Sequence, residues 1–215
     1  MTMRAPFRFS GPVYPIADAV DGRDTLALAE ALLAGGARLL QLRAKSLATG
    51  AFVALARRVK AATDRAGALL IINDRADIAR LIDAAGVHLG QDDLPPADAR
   101  AQLGPDKVIG VSTHNLDQVG AALAAGAIDY LAFGPIFATR SKRNPDPVQG
   151  LDALRAARAR CPLPLVAIGG IDAATLPAVL AAGADAVAII GALTSAADPA
   201  AALLTLLAAA RAESA

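Results

Sequence analysis

The sequence predicts a single-domain α/β protein, a (β/α)8 TIM barrel, on three observations. Short apolar runs alternate with Ala/Leu-rich helical stretches about eight times along the chain. Several of those runs are apolar throughout, as expected of strands covered on both faces of a parallel sheet. The length, 215 residues, lies near the lower end of the roughly 200 to 400 residues usual for this fold, and no linker or composition shift divides the chain. The competing architecture, an open doubly wound sheet, needs a glycine-rich dinucleotide turn after the first strand, and residues 18–24 contain only Gly22.

Residues 1–11 precede the first unit and are expected to be loosely ordered. The first strand is predicted over 13–17 and its helix over 25–34, closed by Gly35-Gly36. The second strand covers 38–42 with a helix over 51–66, the third 68–72 with a helix over 75–84 that ends before Gly86. A short fourth strand, 87–89, leads to Pro95-Pro96, which starts a helix that Gly104 stops. The fifth strand is 107–111 with a helix over 116–125; the sixth, 130–133, opens into a Gly/Pro/basic loop over 134–150 before a helix over 151–160. Residues 163–168 and 173–182 form the seventh unit, and 186–190 and 199–212 the eighth.

Composition narrows the function. With 55% hydrophobic and 19% charged residues, the chain can bury a large core and is not disordered. A net charge of +1 and 3% aromatics offer nucleic acid neither a steering field nor a stacking surface, so any anion site is a local cluster. One cysteine, Cys161, excludes an internal disulfide and suits a reducing compartment. The longest largely apolar stretch, 200–210, is far short of the roughly 20 residues of a membrane span. A cytoplasmic protein acting on small molecules follows, with neither nucleic acid nor membrane as partner. Pairing with a second copy as a homodimer is left open.

The chemistry stands where strands end. The apolar run Leu69-Leu70-Ile71-Ile72 stops at Asn73-Asp74, which strand packing does not require; Asp74 is read as a divalent-metal ligand and Asn73 as touching an anion. The structural alternative is that the pair turns the chain and caps the next helix. Gln41, Arg43 and Lys45 alternate after the second strand, and an arginine at a buried strand end can grip phosphate with its planar fork. Asp93, which could equally be a charge at a helix start, is paired with Asp74 as a second metal ligand. Ser112, Thr113 and His114 follow the fifth strand, and Thr139 to Arg143 the sixth; His88 and His114 are read as structural. Gly169-Gly170 and Gly191 end the seventh and eighth strands, where this fold usually holds phosphate on backbone N–H groups. No nucleophile–base pair is evident. Mg²⁺ with Arg43, Lys45 and Lys142, offset by Asp74 and Asp93, leaves about +3, close to the charge of a diphosphate leaving group.

Several motifs in this order resemble the thiamine phosphate synthase family: Gln41-Leu42-Arg43-Ala44-Lys45, Ile72-Asn73-Asp74-Arg75, Gly86 to Asp93, Gly110-Val111-Ser112, Phe133 to Thr139 with Lys142, and Ile168-Gly169-Gly170-Ile171. The resemblance implies a barrel that joins an aminopyrimidine methyl diphosphate to a thiazole phosphate with release of pyrophosphate and a need for Mg²⁺. It implies that Gln41, Arg43, Lys45, Asn73 and Lys142 bind the pyrimidine diphosphate. Ser112 then lies near the pyrimidine, Asp74 and Asp93 coordinate Mg²⁺, and Thr139, Ser141, Gly170 and the backbone at Ile190-Gly191 meet the thiazole phosphate. Arg43, Lys45, Lys142 and Ser112 would carry catalysis.

The chain departs from the family pattern at Gly191, where serine is frequent, at Ser141, where threonine is common, and at Arg75, where some members have another acid. Two other readings are a thiazole tautomerase, which has a histidine in the segment of Pro135, and a catalytically silent phosphate-binding barrel. If Lys142 stabilises the departing diphosphate, Lys142→Ala lowers kcat on the order of 10²- to 10³-fold; near wild-type turnover would refute that role.

Overall fold

Each apolar run becomes one strand of a parallel sheet in the computed structural model, which describes residues 6–20, 23–139 and 146–211. The strands are β1 (Val13–Asp18), β2 (Leu39–Arg43), β3 (Leu69–Asn73), β4 (Gly86–Leu89), β5 (Val108–Thr113), β6 (Tyr130–Phe133), β7 (Leu165–Ile168) and β8 (Ala186–Ile189). They pair in sequence order, and β8 returns to β1 to close the barrel. The helices are α1 (Thr25–Ala34), α2 (Thr49–Arg65), α3 (Ala76–Leu81), α4 (Pro96–Leu103), α5 (Leu116–Ala125), α6 (Gly150–Arg160), α7 (Leu176–Ala181), α8 (Gly191–Thr194) and α9 (Pro199–Arg211). Among the described residues no helix is long and apolar enough to cross a membrane.

Alternation divides the strand residues between two cores. Leu40, Leu42, Leu70, Ile72, Leu131 and Val187 face the surrounding helices. Leu39, Ile71, Val108, Tyr130, Val166 and Ala186 fill the cylinder. The Tyr130 ring fits because its register partner on β5 is Gly110, where a Cβ would overlap that ring.

Some boundaries differ from expectation for local reasons. α7 begins at Leu176 rather than Ala173 because Asp172 Oδ1 accepts from the N–H groups of Ala174 (3.0 Å) and Thr175 (2.9 Å), a turn that occupies the predicted first turn of helix. The one-turn helix α8 is unforeseen, being too short to show a helical period. Several strands run one or two residues beyond their apolar stretch, because pairing continues through Asp18↔Arg43, Asn73↔His88 and Thr113↔Phe133.

Residues 1–11 are expected to be loosely ordered; in the described part of that segment Pro6, Arg8 and Ser10 are exposed, while the rings of Phe7 and Phe9 are packed. Phe7 and Phe9 meet edge-on with centroids 5.1 Å apart, and Phe9 lies 5.2 Å from Tyr130 and 5.7 Å from Tyr14. Alternation places both rings on one side, where they cover apolar surface at the barrel's lower mouth. Two similar pins tie adjacent strands at that end. Asp129 Oδ2 accepts from Ile109 N and from Arg100 Nη2, each at 2.7 Å. Asp185 Oδ2 accepts from Leu165 N at 2.7 Å and Arg158 Nη1 at 2.8 Å.

Gly110→Ala should destabilise the fold by about 1–3 kcal/mol through overpacking against Tyr130. Urea unfolding checks it, and an unchanged midpoint would contradict the ring placement.

Candidate active site

The upper mouth inherits its chemistry from the strand extensions. Where β2, β3, β4 and β5 continue past their apolar runs, alternation aims Gln41, Arg43, Asn73, His88 and Ser112 inward. With Lys45, Asp74 and Asp93 they line a cavity of about 470 Å³. Gln41, Asn73 and His88 are buried. The Nδ2 of Asn73 has no hydrogen-bond partner among the described residues, and an unpaired buried amide donor costs about 1–3 kcal/mol unless a ligand or water accepts from it.

Asp74 departs from the strand. Its N–H still donates to His88 O at 2.8 Å, but its φ of 64° turns the side chain out of the alternation, a conformation non-glycine residues adopt uncommonly and aspartate tolerates better than most. Lys45 Nζ lies 3.1 Å from Asp74 Oδ2, so Lys45 reaches the site although β2 ends at Arg43. Asp93 Oδ2 accepts from Gly90 N at 2.7 Å. Burial, followed by the Asp93 carboxyl beside it, pushes Asp74 up to about 6 against the pull of Lys45.

Two carboxylates held together against their charge are relieved by a cation between them. An oxygen-only pair opening on a cavity suits Mg²⁺, which keeps waters and substrate oxygens in its remaining positions. Among the described residues no group of three or more His, Cys, Asp or Glu is placed to hold a metal ion, so the two aspartates alone would leave most coordination positions to water and substrate. In donor chemistry the pair Asp74 and Asp93 fits the ion that the resemblance implies.

Arg43 brings a partner that sequence reasoning missed. Its Nη1 donates to both oxygens of Asp18, at 2.8 and 2.7 Å, across the β1–β2 register. With the first strand predicted over 13–17, Asp18 falls in the segment after it; the alternation Tyr14, Ile16, Asp18 is the signal that it points inward. Counting it, the charge balance drops to about +2. Ser112 Oγ is 2.9 Å from His88 Nε2, and Gln41 Nε2 donates to Tyr14 Oη at 3.0 Å. Gln91, also missed, donates from Nε2 to Ser112 O at 2.6 Å.

A second cavity, of about 270 Å³, adjoins the first and includes Thr139, Gly169, Gly170, Ile190 and Gly191. The two share Ser112, His114, Asp146, Ile168, Ala188 and Ile190. Gly170, at φ 66°, lies so close to the 137–138 backbone that a Cβ would stand 2.8 Å from that of Phe137. His114, read as structural, faces both cavities; its Nδ1 is 2.7 Å from Gly134 O and its Nε2 3.5 Å from Asp146 Oδ2. Ser141 and Lys142 lie outside the described residues.

Comparison with known proteins identifies the family. The family described as thiamine monophosphate synthase matches residues 13–193. The thiamine-phosphate synthase of Anaeromyxobacter dehalogenans is 51% identical over 153 residues, covering 71% of this chain and 68% of that protein. That of Moorella thermoacetica is 49% identical over 151 residues, covering 70% and 71%. The solved thiamine phosphate pyrophosphorylase of Pyrococcus furiosus superposes with a TM-score of 0.84 at 31% identity, covering 94% of this chain and 96% of that one. The fold and these likenesses agree, and the chain belongs to the thiamine monophosphate synthase family of transferases.

Proposed function

We propose that the chain joins an aminopyrimidine methyl diphosphate to a thiazole phosphate, giving thiamine phosphate and pyrophosphate. The observation that carries this reading is the pair of adjoining cavities with a common wall. One presents cations, an amide and two carboxylates to a diphosphate, and the other presents glycine backbone to a monophosphate. A condensation needs its two reactants held side by side, and much of the rate can come from that placement.

The roles follow from position. Arg43 and Lys45 bind the diphosphate and stabilise the charge that grows on it as its bond to the pyrimidine methylene breaks. The buried Nδ2 of Asn73 donates to one of its oxygens. Asp74 and Asp93 would hold Mg²⁺, which supplies further positive charge at the diphosphate oxygens when bound. The electron pair of the breaking C–O bond leaves with pyrophosphate, and the thiazole nitrogen forms the new C–N bond with its own lone pair. That nitrogen carries no proton, so no general base is needed, and the Ser112–His88 contact is not called on to act as one. Gln41 and Ser112 meet the pyrimidine, while Thr139, Gly170 and the Ile190–Gly191 backbone meet the thiazole phosphate; Ser141 and Lys142 keep the roles the resemblance implies. A cytoplasmic setting suits the buried thiol of Cys161, whose pKa is raised by burial.

Incubation with both substrates and Mg²⁺ should yield pyrophosphate and the coupled product in equal amounts, and no product would sink the reading. Chelation of Mg²⁺ should abolish turnover; undiminished activity would exclude the two-aspartate ion site. Arg43→Lys should lower kcat/KM by roughly 10- to 100-fold, since an ammonium cannot hold Asp18 and a phosphate oxygen in the guanidinium's fixed geometry. An unchanged kcat/KM would show that the planar fork is unused.

A further inference from the structure

A line of hydrogen bonds crosses the barrel interior along the floor of the ligand cavity, which Tyr14 and His88 also line. Gln41 Nε2 donates to Tyr14 Oη (3.0 Å); Tyr14 Oη lies 3.2 Å from Tyr130 Oη; Tyr130 Oη lies 2.9 Å from His88 Nδ1; and His88 Nε2 lies 2.9 Å from Ser112 Oγ. Both ends of the line, Gln41 and Ser112, face the cavity, three strands apart. The middle members are sealed from the opposite mouth by Phe7 and Phe9, whose rings lie 5.4 and 5.2 Å from Tyr130.

Each hydroxyl has one proton, so the line has a direction. Tyr14 already accepts from Gln41, and the phenol beside it in the line is Tyr130, so its proton goes to Tyr130. Tyr130 then donates to His88 Nδ1. An imidazole that accepts at Nδ1 carries its proton on Nε2, so His88 donates to Ser112 Oγ. The Ser112 proton is left to point into the cavity. At the other end, a Gln41 amide whose nitrogen is turned to Tyr14 offers its oxygen to the ligand. With the Gln41 nitrogen on Tyr14, the reverse direction requires Tyr14 to accept from both neighbours, which leaves its own proton without an acceptor along the line, at about 1–3 kcal/mol; the line runs the other way only with the Gln41 amide turned over, which puts the His88 proton on Nδ1, so the His88 tautomer separates the two. Burial raises the pKa of both phenols, so each remains a donor.

We infer that Tyr14, Tyr130 and His88 are positioning residues that fix Ser112 as a donor and Gln41 as an acceptor toward the ligand. The inference rests on reading this cavity as the pyrimidine site. The ligand it selects has an unprotonated ring nitrogen facing Ser112 and an N–H group facing Gln41. A 4-aminopyrimidine can present that pair, whereas its 4-oxo analogue carries a protonated ring nitrogen beside a carbonyl and presents the opposite polarity. None of the three residues needs to touch the reacting atoms.

The test is the tautomer of His88, read by two-bond ¹H–¹⁵N correlation on the full chain at a pH where imidazole is neutral. The chain has two histidines, so a His114→Asn variant assigns the spectrum. The wild type should carry the proton on Nε2. Tyr14→Phe should keep it there, since Tyr130 still donates to Nδ1, whereas Tyr130→Phe should give a mixture. Tyr130→Phe should also raise KM for the pyrimidine diphosphate about tenfold, with kcat changing less, and narrow the preference for the amino over the oxo analogue. A merely structural role would destabilise both phenol variants alike and leave the tautomer unmoved.

A wild-type proton on Nδ1, or a Tyr130→Phe spectrum like the wild type, would overturn the inference. A lost tautomer with unchanged KM and preference would overturn its ligand-facing half. If Tyr130→Phe does not fold, the wild-type and Tyr14→Phe spectra still decide the direction. The tautomer is read without substrate, so its failure is separate from failure of the coupling reaction.

Discussion

The period-two alternation of strand side chains, imposed on a closed cylinder, is the constraint from which the site follows. Every second residue of eight parallel strands must point at one axis. Along that axis the chain grades from apolar to polar. Leu39, Ile71, Val108, Val166 and Ala186 fill the lower part. A middle level of Tyr14, Gln41, His88 and Tyr130 is joined by hydrogen bonds across the cylinder. Arg43, Asn73 and Ser112 then stand at the upper mouth. Parallel strands bring all their C-terminal ends to the same mouth, so residues remote in sequence converge without any special loop.

Charge at that mouth is arranged in pairs that a ligand can exchange. Asp18 neutralises Arg43 at 2.7 Å, which spares the fold the several kcal/mol of a buried unpaired ion, and Asp74 pairs at 3.1 Å with the exposed Lys45, a screened contact worth at most about 1 kcal/mol. Asp74 is the strained member, set by burial and by Asp93 rather than by its lysine. In the proposed complex the incoming diphosphate and cation re-pair these groups: Lys45 turns to phosphate, and the two aspartates share the ion. Arg43 keeps Asp18, so its fork is held in place before substrate arrives, a form of preorganisation that favours the transition state.

The barrel was legible because helix and strand signals alternate at their own periods and several helices end at glycine. Gln41, Asn73, Asp74, Asp93 and Ser112 were legible as polar residues interrupting apolar runs, and they line one cavity. What escaped depends on contacts between distant segments. Asp18 looked like a turn residue because its partner, Arg43, lies on the neighbouring strand. His88 looked like a buried structural residue, and it is buried; its contact with Ser112 is a register fact that no local pattern encodes. Phe7 and Phe9 follow no turn or period signal, and only the open lower mouth of the barrel explains why they pack.

The account depends most on Asp74 and Asp93 acting together on one divalent ion in the presence of a diphosphate. Titration of Mn²⁺, as a paramagnetic substitute for Mg²⁺, followed by electron paramagnetic resonance with and without inorganic pyrophosphate, tests this directly. The account predicts one tightly held ion per chain when pyrophosphate is present, lost on either Asp74→Asn or Asp93→Asn. Ion binding that survives both substitutions unchanged would contradict it.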